Sequence, residues 1–155
     1  MGTAHCAFSS GTPSSNVPVV RRTLSPEAQG LSERCILVVD DDRLLRWAIA
    51  ETLGARGFHV SEAGDAESAE RAFAAAADST DLVLLDLYLP DSQDLRVLSF
   101  IRRLRPNIPV VVMTAHGTPD VLDQAARSGA VVATKPFDMS ALAALVEREV
   151  TGSRH

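Results

Sequence analysis

The chain has 155 residues, 46% of them hydrophobic, and a formal net charge of −5 at pH 7. That length supports one core of ordinary size, or one domain and a tail, and the negative balance argues against nucleic-acid binding by this chain alone. Cys6 and Cys35 stand in no metal-ligand spacing, so neither zinc nor a disulfide framework is expected and a reducing cytoplasm is the natural compartment.

No apolar run reaches the length of a membrane span, and the N-terminus lacks the apolar core of a secretory signal, so no membrane association is expected. Residues 1–33 contain the tract Ser9-Ser10-Gly11-Thr12-Pro13-Ser14-Ser15-Asn16 and too little apolar surface to offset the entropy of ordering. They read as a flexible Ser/Pro/Gly-rich tail, in which Val17 to Leu24 could dock as a short strand. The globular domain is expected over 34–150, and 151–155 as a C-terminal tail.

Cys35 to Val39 reads as a buried strand ending in Asp40-Asp41-Asp42. Leu44, Leu45, Ala48, Ile49 and Leu53 recur at helical spacing and predict an amphipathic helix from Arg43 to Arg56, stopped by Gly57. Trp47, on its flank, is expected to pack. Phe58 to Val60 is a short strand, and Asp65 caps an alanine-rich helix from Ala66 to Ala77. The run from Leu82 is apolar on both faces and ends at Asp86, as a strand of a covered parallel sheet does. A helix from about Gln93 to Leu104 follows, with Leu95, Leu98 and Ile101 inward and Pro106 closing it. Arg102, Arg103 and Arg105 form a solvated basic face. Val110 to Met113 is the fourth strand and ends at Thr114. Thr118-Pro119-Asp120 launches a helix to Arg127. Ala130 to Thr134 is the fifth strand, followed by Lys135-Pro136, and Asp138 caps the helix Met139 to Val150. Five strands alternating with five helices predict a flavodoxin-like, doubly wound parallel sheet in three α/β/α layers.

In such a sheet the carboxyl ends of all strands share one edge, where chemistry is placed. Asp40, Asp41, Asp86, Thr114 and Lys135 all fall there. One aspartate alone would be read as a turn residue; three converging carboxylates repel one another and require a proton or a cation. Oxygen ligands without His or Cys suit Mg²⁺. Lys135 is the only lysine in the chain, a compact ammonium where every other basic side chain is a guanidinium. With the Thr114 hydroxyl it meets the charge of an incoming phosphoryl group. One carboxylate is then left to attack phosphorus and form an acyl phosphate. The acids argue against flavin binding, because a flavin phosphate wants N–H groups and hydroxyls after the first strand.

The segments Ile36-Leu37-Val38-Val39-Asp40-Asp41-Asp42, Asp81 to Pro90, Val112-Met113-Thr114-Ala115 and Lys135-Pro136-Phe137 resemble the receiver domain of bacterial two-component response regulators. The likeness covers about Arg34 to Val150. It implies that Asp86 accepts the phosphoryl group. Asp41 would bind Mg²⁺ directly and Asp40 through water, with the Tyr88 backbone carbonyl as another ligand. Thr114 would be the switch hydroxyl, Lys135 the phosphoryl-binding lysine, and Lys135-Pro136 a cis peptide. His116, two residues after Thr114, either lines the pocket mouth with Tyr88 or is a plain surface-loop residue.

Three features depart from that family. Asp94 stands where glycine is usual, the segment Gly129 to Lys135 is one residue short, and Val132 replaces a common aromatic residue. The expected function is that of a single-domain regulator, phosphorylated by a sensor histidine kinase or histidine phosphotransfer protein and acting through protein contacts. The alternatives are a small Mg²⁺-dependent aspartyl-phosphate phosphatase, a pseudo-receiver that only binds partners, and the receiver fragment of a longer DNA-binding regulator.

Overall fold

The computed structural model describes residues 34–153. The tail reading for 1–33, Cys6 included, falls outside them. Five strands and five helices alternate: β1 (Cys35–Val39), α1 (Arg43–Ala55), β2 (His59–Ala63), α2 (Ala66–Ala76), β3 (Leu82–Asp86), α3 (Arg96–Leu104), β4 (Val110–Thr114), α4 (Pro119–Arg127), β5 (Val131–Thr134) and α5 (Met139–Gly152). All strands are parallel, in the order β2-β1-β3-β4-β5. The strand order therefore reverses between β1 and β3, and the crevice outside a parallel sheet opens at such a reversal.

Every residue of β1, β3 and β4 is buried. Alternate side chains feed two cores, one on each face of the sheet. Leu37, Val39, Val83, Leu85, Val110 and Val112 pack with Phe73 of α2, Leu98 and Ile101 of α3 and Ala125 of α4. Ile36, Val38, Leu82, Leu84, Val111 and Met113 pack with Ile49 and Leu53 of α1 and Leu142 and Val146 of α5. This is the expected doubly wound sheet in three layers. Gly57 and Gly129 follow α1 and α4 at φ 97° and 83°, the left-handed region that glycine enters without a Cβ penalty. Among the described residues no helix is long and apolar enough to cross a membrane.

The structure corrects several sequence expectations. β2 spans His59–Ala63 rather than Phe58 to Val60, because an edge strand tolerates the polar Ser61 and Glu62. α3 begins at Arg96 rather than near Gln93, because the Asp94 carboxylate accepts the Arg96 N–H at 2.9 Å and holds the preceding loop out of the helix. Leu44 and Trp47 are 73% and 57% exposed, so α1 buries only its Ile49–Leu53 side and Trp47 does not pack. The basic face of α3 is not simply solvated. Arg102 Nε donates to the Ser128 carbonyl at 2.7 Å and its Nη1 to the Ile108 carbonyl at 2.6 Å. Arg105 Nη1 donates to the carbonyls of Ala77 and Thr80. These guanidiniums satisfy carbonyls just after α2 (Ala77) and α4 (Ser128) and in the loops that lead into β3 and β4. Only Arg103 points outward, over the Phe100 ring at 5.7 Å. Cys35 is buried at the start of β1.

Candidate functional site

The strands deliver the acids to one place. Asp40 follows β1 and Asp86 ends β3, neighbours in the sheet, and their carboxylates lie with that of Asp41 within 4.8 Å of one another. Asp40 and Asp86 are buried, whereas Asp41 is exposed. Lys135, directly after β5, extends its ammonium to Asp40 Oδ2 at 2.7 Å and Asp86 Oδ2 at 3.0 Å. The Lys135 N–H donates to the Thr114 carbonyl at 2.8 Å, which ties the end of β5 to β4; the Lys135-Pro136 peptide is cis, as expected.

Each buried carboxylate is held through both oxygens. Asp40 Oδ1 accepts the Asp42 N–H at 2.9 Å, leaving Oδ2 to the lysine. Asp86 Oδ1 accepts the Tyr88 N–H at 2.9 Å, and its Oδ2 also faces the lysine. Burial pushes the Asp86 carboxyl above its ordinary value, although the Tyr88 N–H and Lys135 pull the other way. Burial opposes the charge on Lys135, but hydrogen bonds to Asp40 and Asp86 outweigh it and hold the ammonium above the ordinary lysine value. The ammonium, shared by two acids, stays charged. The Asp86 carboxylate, sharing one cation, is short of counter-charge.

Thr114 ends β4 and is 2% exposed. Its hydroxyl is buried and makes no hydrogen bond. Buried hydroxyls are ordinarily paired, so this one is a donor without its acceptor. A cavity of about 350 Å³ opens over the cluster, lined by Asp41, Asp86, Tyr88, Ala115, His116 and Lys135. A second one, of about 480 Å³, shares Tyr88, Ala115 and His116 with it and reaches Thr114, Leu122 and Thr134. Tyr88 and His116 therefore line the mouth.

The donor set fits a hard divalent cation. Three carboxylates and one ammonium leave a charge of −2, which one Mg²⁺ neutralises, and among the described residues no His or Cys joins the cluster.

Several contributing residues carry no sequence signal of their own. Arg46 Nη1 donates to the Asp40 carbonyl at 2.7 Å while its Nε reaches Glu62 at 3.1 Å, tying the β1–α1 turn to the edge strand. Asp42, counted with the acids, is a helix cap: it accepts the N–H groups of Leu44 and Leu45. Asp91 accepts the N–H groups of Ala66 and Glu67, at the start of a helix 25 residues earlier. An arginine or aspartate whose partner is a distant backbone group has no periodicity or spacing to reveal it.

Comparison with known proteins agrees with this geometry. A family model described as the response regulator receiver domain matches residues 36–147. The DNA-binding transcriptional regulator NtrC of Azospirillum brasilense is 33% identical over 124 residues, 79% of this chain and 25% of that protein. The response regulator protein FleR of Pseudomonas aeruginosa is 38% identical over 118 residues, 76% of this chain and 24% of its own length. The chain thus spans about a quarter of these curated relatives. Among solved structures, the receiver domain of NtrX from Brucella abortus superposes with a TM-score of 0.66 at 34% identity, covering 75% of this chain and 98% of that one. A receiver domain protein from Clostridium thermocellum gives 0.73 at 25% identity, over 78% and 97%.

Proposed function

The chain belongs to the response regulator receiver family, and from that premise we propose that it takes a phosphoryl group onto Asp86 in a Mg²⁺-dependent reaction. The observation that carries the reading is the pairing of Lys135 with both buried acids beside a buried Thr114 hydroxyl that has no partner.

The donor is the phosphohistidine of a sensor histidine kinase or histidine phosphotransfer protein. An Asp86 carboxylate oxygen attacks phosphorus, the P–N bond breaks, and the imidazole departs with its electron pair and takes up a proton. Asp86 becomes an acyl phosphate. The new phosphoryl oxygens require donors, and Lys135 and the Thr114 hydroxyl are the ones at hand. Asp40, Asp41 and Asp86 would hold Mg²⁺, with the Tyr88 backbone carbonyl as a further ligand. The ion, when bound, supplies positive charge to the transferring group. Tyr88 and His116, at the mouth, control how water reaches the product. No turnover beyond its own phosphorylation and dephosphorylation is proposed, and nothing supports the phosphatase alternative.

The phosphorylated state acts through protein contacts in the cytoplasm. The quarter-length match to DNA-binding regulators favours a second reading, in which this receiver governs the remainder of a longer regulator. Direct contact between this domain and nucleic acid or membrane is not proposed. Phosphotransfer from a panel of purified, autophosphorylated histidine kinases tests the reading: one or a few kinases should label the chain within seconds to minutes, and none should label Asp86→Asn.

A further inference from the structure

The loop after β3 is anchored where packing alone gives no reason for it. The first three N–H groups of α2 have no partner within the helix. Asp65 accepts only the third, from Ser68 at 2.7 Å. The other two go to one distant side chain: Asp91 Oδ1 accepts the Ala66 N–H at 2.7 Å and Asp91 Oδ2 the Glu67 N–H at 3.0 Å. With one N–H on each oxygen, the carboxylate has no freedom to turn. Asp91 therefore fastens its own loop to a rigid helix end.

From Asp91 the constraint runs back to the acceptor through a short, stiff path. Leu89 and Ser92 exchange both backbone hydrogen bonds, at 2.8 and 3.2 Å, and Leu87 and Leu89 are buried. Asp94 closes the far side by accepting the Ser92 hydroxyl at 2.8 Å and the Arg96 N–H at 2.9 Å. Arg96 in turn makes two bonds of 2.9 Å to Glu70 of α2. The near end of this braced loop is the Tyr88 N–H, which holds Asp86 Oδ1. Lys135 approaches Oδ2 from the other side of the crevice, so the torsion of the acceptor carboxylate depends on the loop staying in place.

We propose that Asp91 is a positioning residue for phosphoryl transfer, setting the Tyr88 N–H that orients the Asp86 carboxylate. The inference rests on Asp86 being the phospho-acceptor. In-line attack is sensitive to displacements well under the length of a bond, and misplacement of about 1 Å can slow a reaction by roughly 10²-fold. The competing role for Asp91 is purely structural, as a cap that stabilises α2.

Asp65 makes the two roles separable, because it caps the same helix without touching the loop. The full chain and its Asp91→Ala, Asp91→Asn and Asp65→Ala variants are incubated with Mg²⁺ and acetyl phosphate. Modification is followed by intact-mass spectrometry and Mg²⁺ affinity by calorimetry. Both alanine variants should melt at lower temperature. Only Asp91→Ala should slow modification, by roughly tenfold, and weaken Mg²⁺ binding, with Asp91→Asn restoring part of both because its amide oxygen still accepts an N–H. Equal rates in all folded variants, or equal slowing by Asp65→Ala, would overturn the positioning role. If Asp91→Ala does not fold, the Asp91→Asn and Asp65→Ala pair decides by the same criterion. An unsubstituted chain that is never modified at Asp86 would instead remove the underlying reading, and this inference with it.

Discussion

Lys135 Nζ stands 3.0 Å from Asp86 Oδ2, and it is the ammonium that makes a buried acid pair tolerable in this site. The same nitrogen reaches Asp40, whose side chain is 0% exposed. Breaking a buried ion pair by removing one partner leaves an uncompensated charge and costs about 3–5 kcal/mol. Lys135→Met should therefore lower the metal-free unfolding free energy in urea by about 3 kcal/mol, with Mg²⁺ recovering part of the loss. Unchanged stability would mean that Lys135 is not the counter-charge of the acids.

Asp41 differs from its neighbours, being exposed and, among the described residues, making no hydrogen bond or ion pair. Without metal it adds repulsion and gains nothing in return. Asp41→Ala should raise the metal-free melting temperature by about a few degrees. It should also abolish the rise that Mg²⁺ produces by binding only the folded state. A lowered melting temperature with the full Mg²⁺ response intact would place the metal elsewhere.

Asp65 and Asp91, which both hold N–H groups at the start of α2, contribute to the acid limb of stability. Hydrogen bonds from Ser68 hold the Asp65 carboxyl below its ordinary value of 3.8, and those from the Ala66 and Glu67 N–H groups do the same for Asp91. A carboxyl whose folded value is depressed contributes stability that is fully present above its unfolded value. That contribution is lost as pH falls through the lower folded value. Melting temperature should thus be insensitive to these caps above about pH 5 and decline below about pH 4. Asp91→Asn, which cannot titrate, should show a shallower decline over the same range. Superimposable acid limbs for the two proteins would contradict the capping role.

The surroundings of Thr114 set the route by which the proposed phosphorylation would be read out. Val132 of β5 is half-buried against the α2–α4 core and too short to swing between exposed and buried positions. Thr114 shares a cavity with Ala115–Thr118, Leu122 and Thr134, most of it built by the loop before α4 and by α4. Leu122 packs so closely that a Cβ on Gly117 would lie 2.5 Å from its Cδ2, so a moving loop engages α4 directly. Amide hydrogen exchange with Mg²⁺ and beryllofluoride should change mainly over residues 114–127, and only when the Thr114 hydroxyl is present. Changes centred on 130–134 that persist in Thr114→Ala would show a different route.

The sheet, its order of elements and the convergence of Asp40, Asp41, Asp86 and Lys135 were legible because buried parallel strands write continuous apolar runs. Their carboxyl ends then fall on one edge by topology alone. What the sequence hid was the bracing. Asp91, Asp94 and Arg46 act on backbone groups or across elements, and neither composition nor period marks such a partner. Trp47 was misjudged for a related reason: its helical phase was compatible with a flank, and only the packed structure shows that α5 and β2 leave it exposed. Arg102 and Arg105 looked like surface charge because their acceptors are carbonyls at the ends of other elements.

Asp86 is proposed as the nucleophile of a metal-dependent phosphoryl transfer that leaves it as an acyl phosphate. Intact-mass spectrometry after incubation with acetyl phosphate tests it directly. The chain should gain one phosphoryl mass in the presence of Mg²⁺, stable in acid and released in base, while chelated samples and Asp86→Asn stay unmodified. Equal modification of Asp86→Asn, or modification that proceeds without divalent metal, would contradict it.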